Sequence, residues 1–170
     1  MAILFELVVN FGGNEDAAQA ATALVRRVDH VEVRGLSVPL GDPVITRLPS
    51  PNRYIEFSVV VPGLGYSGPG PKPDLDPRSL TSAEITQVGH ALYDLLHGFS
   101  GYRAASVGWN PESLVDLQDL ETDWCNGDPP GYNGLVLAND LCARWQLGPE
   151  WVAFDHDHRW LPYSGSKNIW

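Results

Sequence analysis

Ile3, Phe5, Leu7, Val9 and Phe11 are apolar at every second position, and the pattern stops at Gly12-Gly13. A period of two puts these side chains on one face of a pleated strand, so residues 3–11 read as a half-buried strand. A helix follows at once. Asn14 suits its N-cap, Glu15 and Asp16 suit the positive end of its dipole, and Arg26 and Arg27 the negative end. Ala17, Ala21, Leu24 and Val28 recur between them at helical spacing. A chain that opens strand-then-helix must bury one face of each, which confines it to layered folds.

Two further strands are expected over 30–40 and 53–61. In the second, Ile55, Phe57, Val59 and Val61 share one face and Glu56 and Ser58 the other. Thr81 and Glu84 then form a capping box, and Leu80 and Ile85 a hydrophobic staple around it. Ile85, Val88, Leu92, Leu95 and Phe99 continue as a helical stripe, and His97-Gly98 suits the helix end. Residues 102–109 return to a strand. The order βαββαβ is that of a split βαβ, ferredoxin-like α+β fold, with an antiparallel sheet and two helices on one face. It covers a core over 1–109.

Residues 110–170 form an aromatic-rich C-terminal extension. It holds too few apolar residues for a core of its own, and no flexible linker precedes it. It is therefore expected to pack on the first unit within a single domain, 1–170. A short helix is expected after Pro111, and another over 140–146, capped by Asn139 and stopped by Gly148-Pro149. Trp151–Phe154 and Arg159–Tyr163 resemble two short strands around Asp155-His156-Asp157-His158.

Composition excludes some classes. Of 170 residues, 44% are hydrophobic and 19% charged, which does not suit a disordered chain. The net charge of -10 repels nucleic acid and anionic membranes, unless the protein mimics nucleic acid. Cys125 and Cys142 form neither a disulfide framework nor a CxxC zinc pair. Met1–Phe11 lacks a basic n-region and a cleavage signal, and no apolar run approaches the ~18 residues of a membrane helix. The expectation is a cytoplasmic protein with no cofactor.

Known chemical motifs match poorly. Gly63-Leu64-Gly65-Tyr66-Ser67-Gly68 has the GxGxxG spacing, but Pro69, Pro71 and Pro73 prevent the helix that a dinucleotide site requires. Ser67 misses the GxSxG elbow because position 69 is proline. Asp119, Glu121 and Asp123 occupy the first ligand positions of a calcium loop, yet Trp124 and Pro130 stand where glycine and glutamate belong. His156 and His158 are the candidate metal ligands, since alternate residues of a strand share a face. No third ligand appears at recognisable spacing. His90 reads as a partly buried helical histidine, and Cys125, among carboxylates, as a poor nucleophile.

The strongest functional signal is a gap in the positive charge. No Lys or Arg lies between Arg103 and Arg144, while Glu112, Asp116, Asp119, Glu121, Asp123, Asp128 and Asp140 do. Trp109, Trp124 and Tyr132 stand among them. An acidic, aromatic-studded surface suits a basic protein partner. The partner-binding candidates are Glu112, Asp116, Asp119, Glu121, Asp123 and Trp124. The leading expectation is a small bacterial-type binding protein, in concrete form a toxin-neutralising immunity protein or an inhibitor. The alternatives are a metal-dependent hydrolase built on His156 and His158, and a small-molecule binding module with the Gly/Pro-rich loop 62–80 as its lid.

Overall fold

The computed structural model describes residues 3–49, 53–66, 80–126 and 133–165. The architecture is mixed α+β. Strand β1 (Ile3–Asn10) leads into α1 (Glu15–Val28) through a turn that the Asn14 side chain caps by accepting from the Ala17 amide at 3.1 Å. Strands β2 (His30–Val33) and β3 (Leu36–Pro39) follow, then β4 (Val44–Arg47) and β5 (Ile55–Tyr66). Helix α2 (Ser82–Leu96) precedes β6 (Ala104–Trp109). Its capping box is formed: Glu84 N–H donates to the Thr81 hydroxyl at 3.3 Å, and Thr81 N–H donates to the Glu84 carboxylate at 2.8 Å. A 3-10 turn (Glu112–Leu114), α3 (Leu117–Asn126), β7 (Val136–Ala138), α4 (Asn139–Arg144), β8 (Val152–Ala153) and β9 (His158–Trp160) complete the order.

Seven strands make one sheet in the order β4-β5-β1-β6-β7-β9-β8, and every pairing within it is antiparallel. The expected smaller sheet is thus corrected in two respects. Residues 30–40 are not one strand of it. They are the separate hairpin β2-β3, closed by Arg34 and Gly35 at φ 50° and 76°. Positive φ at both central residues is the geometry of a tight primed turn, which folds the alternation Val31, Val33, Leu36, Val38 back on itself. The place beside β5 goes to β4, which is only four residues long and leaves Val44 55% exposed. The extension supplies the other change. β7 pairs with β6 (Ala104↔Leu137, Ala105↔Val136), and β9 and β8 continue outward.

β5 also runs further than expected, so 62–66 of the proposed lid are strand, and Gly65 pairs with Leu4. The rest of that loop, 67–79 with Ser67, lies outside the described residues, as do Asp128, Pro130, Tyr132, Trp170 and the Cys125 side chain. The β1–β5 register shifts between Leu4 and Glu6, a bulge that re-aims side chains at this point.

Each face of the sheet is covered. Phe5, Leu7 and Val9 of β1, Phe57 and Val59 of β5, and Val107 of β6 pack against Ala18, Ala21 and Val25 of α1 and Ile85, Val88 and Leu92 of α2. The alternate residues Val8 and Ala104 join a second cluster with Val115, Leu120, Leu137, Leu141 and Trp151 from the extension. Tyr163 ties the chain's later part to α2: its ring lies against Gly89, where any Cβ would collide with it.

Candidate acidic interface

After β6 the chain turns back over the sheet at Asn110, whose φ of 46° is left-handed. Asn110 brackets Leu4: its Oδ1 accepts from the Leu4 amide at 2.7 Å and its own N–H donates to the Leu4 carbonyl at 3.0 Å. At the other end of β1, the buried Asn10 side-chain amide donates to the Val115 carbonyl at 2.7 Å. Residues 110–116 are thereby laid along β1 as a strap. Between the tethers, Leu114 N–H donates to Pro111 O at 2.9 Å and Val115 N–H to Glu112 O at 3.2 Å.

The six residues expected to meet a partner divide into three groups. Asp116 is buried, at 8% exposure, and caps α3 by accepting from the Gln118 and Asp119 amides at 2.9 and 3.3 Å. Glu121 faces Arg144 at 3.6 Å. Glu112 and Asp119 are exposed and Asp123 half-buried. No Lys or Arg among the described residues lies within ion-pair reach of these last three. Trp124 is half-buried; its ring stacks on Trp145 (centroids 6.4 Å apart) and meets Trp151 edge-on at 6.3 Å. The two arginines that bound the cation-free stretch both fold back onto it, since Arg103 grips Asp140 with two hydrogen bonds of 3.0 and 2.7 Å.

The acidic surface extends onto the sheet, where sequence reading did not find it. Glu6 and Glu56 sit on the strand face opposite the two long helices. Burial first, then Glu112 and Glu56, push the Glu6 carboxyl up to about 7. Burial also raises Glu56, against a hydrogen bond at 3.2 Å from the Tyr54 hydroxyl, with Glu112 and Asp116 adding to the rise. Asp119 is raised by partial desolvation and by Asp116 and Asp123. Among these carboxylates every neighbouring charge that acts is negative. Beside them Ser113, Leu114, Asp119, Leu120, Thr122 and Asp123 line a surface hollow of about 340 Å³, so two leucines and two carboxylates share its wall. Such a hollow can receive a Lys or Arg side chain, stem on leucine and head on carboxylate.

The other candidates lead elsewhere. Asp119, Glu121 and Asp123 lie within α3, so they do not form a calcium loop. His156 and His158 do not converge. His158 is 3% exposed, stacks on the Tyr102 ring (centroids 3.8 Å apart) and faces Asp155 at 2.8 Å and the Tyr102 carbonyl at 3.2 Å, whereas the His156 side chain is open to solvent beside Asp157. His156 belongs to the β8–β9 turn, and His158 is the first residue of β9. Among the described residues no group of three His, Cys, Asp or Glu is placed to hold a metal ion. His90, expected to be partly buried, is exposed and touches Tyr163 edge-on. A second hollow of about 420 Å³, lined by Asn139, Cys142, Ala143, Gln146, Leu147 and Arg159, carries no carboxylate, and burial pushes the Cys142 thiol up.

Family models, curated proteins and solved structures yield no match to this chain. No helix among the described residues is long and apolar enough to cross a membrane. What the protein does must be read from its own surface.

Proposed function

We propose that the protein is a cytoplasmic binding protein that engages a basic protein partner through the acidic face built by the strap and α3, in concrete form an immunity protein or inhibitor. The observation that carries this reading is the set Glu112, Asp119 and Asp123, which face no Lys or Arg among the described residues, with Asp119 and Asp123 lining a hollow they share with Leu114 and Leu120. Uncompensated surface carboxylates cost a monomer self-repulsion, and a basic partner removes it while gaining a faster encounter. Asp116 serves the face indirectly, by capping the helix that displays it, and Trp124 by holding that helix on the second core. We further propose that residues 3–109 are a split βαβ, ferredoxin-like core. The neighbour order β4-β5-β1-β6, with α1 and α2 on one face, supports this, the hairpin β2-β3 being an insertion.

The test compares wild type with the triple variant Glu112→Gln, Asp119→Asn, Asp123→Asn in cross-linked capture from the native host at low ionic strength. A basic protein recovered with wild type and lost with the variant supports the proposal. Equal recovery by both, or cross-links that map to the α1–α2 side, overturns it.

A further inference from the structure

One buried ring joins the β8–β9 hairpin to the segment before β6. His158 opens β9 and is 3% exposed. Its ring lies flat on the Tyr102 ring, with centroids 3.8 Å apart and planes 5° from parallel. Both ring nitrogens meet oxygen. Nδ1 lies 2.8 and 3.1 Å from the two Asp155 carboxylate oxygens, and Nε2 lies 3.2 Å from the Tyr102 carbonyl oxygen. Burial lifts the Asp155 carboxyl, but the His158 hydrogen bond and the Asp157 amide outweigh it and hold the group below its ordinary value, so Asp155 is an anion at neutral pH.

A carboxylate and a carbonyl only accept hydrogen bonds, and a neutral imidazole has one N–H to give. With one proton, His158 would turn a lone pair toward one of these oxygens inside the fold, where an unmade hydrogen bond costs most. With two protons it satisfies both. The surroundings favour that cation. Burial first, then Asp155 and Asp157, keep the Tyr102 hydroxyl above its ordinary value, so it stays neutral. The arginines next in sequence are engaged elsewhere: Arg103 grips Asp140, and Arg159 donates to the Trp151 carbonyl at 3.1 Å. His156 faces Asp157 in solvent, and His97 stacks on Phe154 on the far side of the turn's first residue from the clasped pair's hydrogen bonds. We propose that His158 is a proton-operated clasp: doubly protonated, it joins Asp155 to the Tyr102 carbonyl, and loss of one proton frees the 154–157 turn from the segment before β6. The turn stays tied to α4 by Asn139, whose N–H and side-chain amide donate to the Asp157 and His156 carbonyls at 2.9 and 3.0 Å, so opening is a local lift and not unfolding. Acid closes the clasp and base opens it. This inference does not depend on what the acidic face binds.

The test is ring-nitrogen NMR of His158 across a pH titration, together with hydrogen exchange of the Phe154 and Asp155 amides, corrected for intrinsic chemical exchange. Both amides donate to the His158 carbonyl, at 3.0 and 3.3 Å. While the amides are protected, both ring nitrogens should carry protons. As the ring loses one, amide exchange should rise by about tenfold per pH unit, because each unit makes loss of the proton tenfold more favourable. His158→Phe keeps a ring on Tyr102 without any proton, and should make exchange fast and independent of pH. Should that variant fold poorly, Asp155→Asn leaves His158 in place, removes the anion, and should move the rise to lower pH by about one unit or more. A singly protonated His158 ring with both amides still protected overturns the clasp. So does a ring that keeps both protons up to about pH 9, beyond the range in which histidine switches.

Discussion

The two faces of this sheet are made by alternate residues of the same strands, yet they do different work. The face toward α1 and α2 is apolar along Phe5, Leu7, Val9, Phe57, Val59, Ala105 and Val107. Its aromatic side chains interlock, with Phe57–Phe99 at 5.4 Å and Phe11–Tyr102 at 6.3 Å between centroids. The opposite face mixes Val8 and Ala104 with the buried polar residues Glu6, Asn10 and Ser106. Dry apolar packing stabilises without caring much which apolar side chains meet. Buried polar groups stabilise only where their partners are in place, so they dictate where the covering segment sits. The helical face therefore holds the fold together, and the strap face positions the acidic surface and makes it sensitive to protons.

The largest expected effect breaks the helical face. Phe57 is fully buried, and Phe57→Ala should cost about 3–5 kcal/mol in denaturant unfolding. A loss below about 1 kcal/mol would mean that this face is not the main support. The strap face should answer to pH instead. The Glu6 pKa is raised in the folded protein from 4.5 to about 7, so between those values the folded state holds more proton than the unfolded one. Its contribution is fully present below about 4.5 and is lost as pH rises through 7. The loss is at most about 3 kcal/mol, at 1.36 kcal/mol per unit. Glu56 is raised too and adds in the same sense. Asp155 has the opposite sign. Burial lifts it, but the His158 hydrogen bond and backbone amides hold it low overall, so its contribution is lost as pH falls. Unfolding free energies measured at about pH 5 and pH 8.5 check this. A rise in stability across that interval would sink the assignment, and Glu6→Gln should flatten the fall.

Legibility in the sequence followed the same division. Local signals sufficed for α1 and α2, because Asn14, Thr81 and Glu84 act on amides three residues away. Strand alternation sufficed for β1, β5 and β6. The hairpin β2-β3 looks like one strand in the sequence because Arg34-Gly35 is not among the strongest turn pairs, and β4 leaves no signal because two apolar residues give no period. The acidic candidates were found as a run but not sorted. Nothing local says that Asp116 turns inward to cap α3 while Asp119 stays out, since that depends on Leu120 being pulled into the second core. Glu6 was out of reach altogether. Its burial is made by a strap more than a hundred residues later, tethered by Asn110 and Asn10.

The smaller effects sharpen the contrast within the acidic segment itself. Asp116→Ala removes the α3 cap and should cost about 1 kcal/mol, within a range of about 0.5–2 kcal/mol. The triple variant Glu112→Gln, Asp119→Asn, Asp123→Asn should change stability by no more than about 0.5 kcal/mol, as surface substitutions do. Its sign should be neutral or favourable, because Asp119 is raised by desolvation, Asp116 and Asp123, so its charged form is disfavoured in the fold. The variant's effect belongs in association instead. With the partner in hand, its on-rate should fall about tenfold at low ionic strength, and the salt dependence of that rate should flatten, since steering charges act over a Debye length and are screened by salt. Dissociation should change less. If the triple variant unfolds while Asp116→Ala does not, the exposed and buried acids have been assigned the wrong way round, and the acidic face is scaffold. If both fold and the on-rate is unchanged, the carboxylates do not steer the partner, and recognition must lie on another surface.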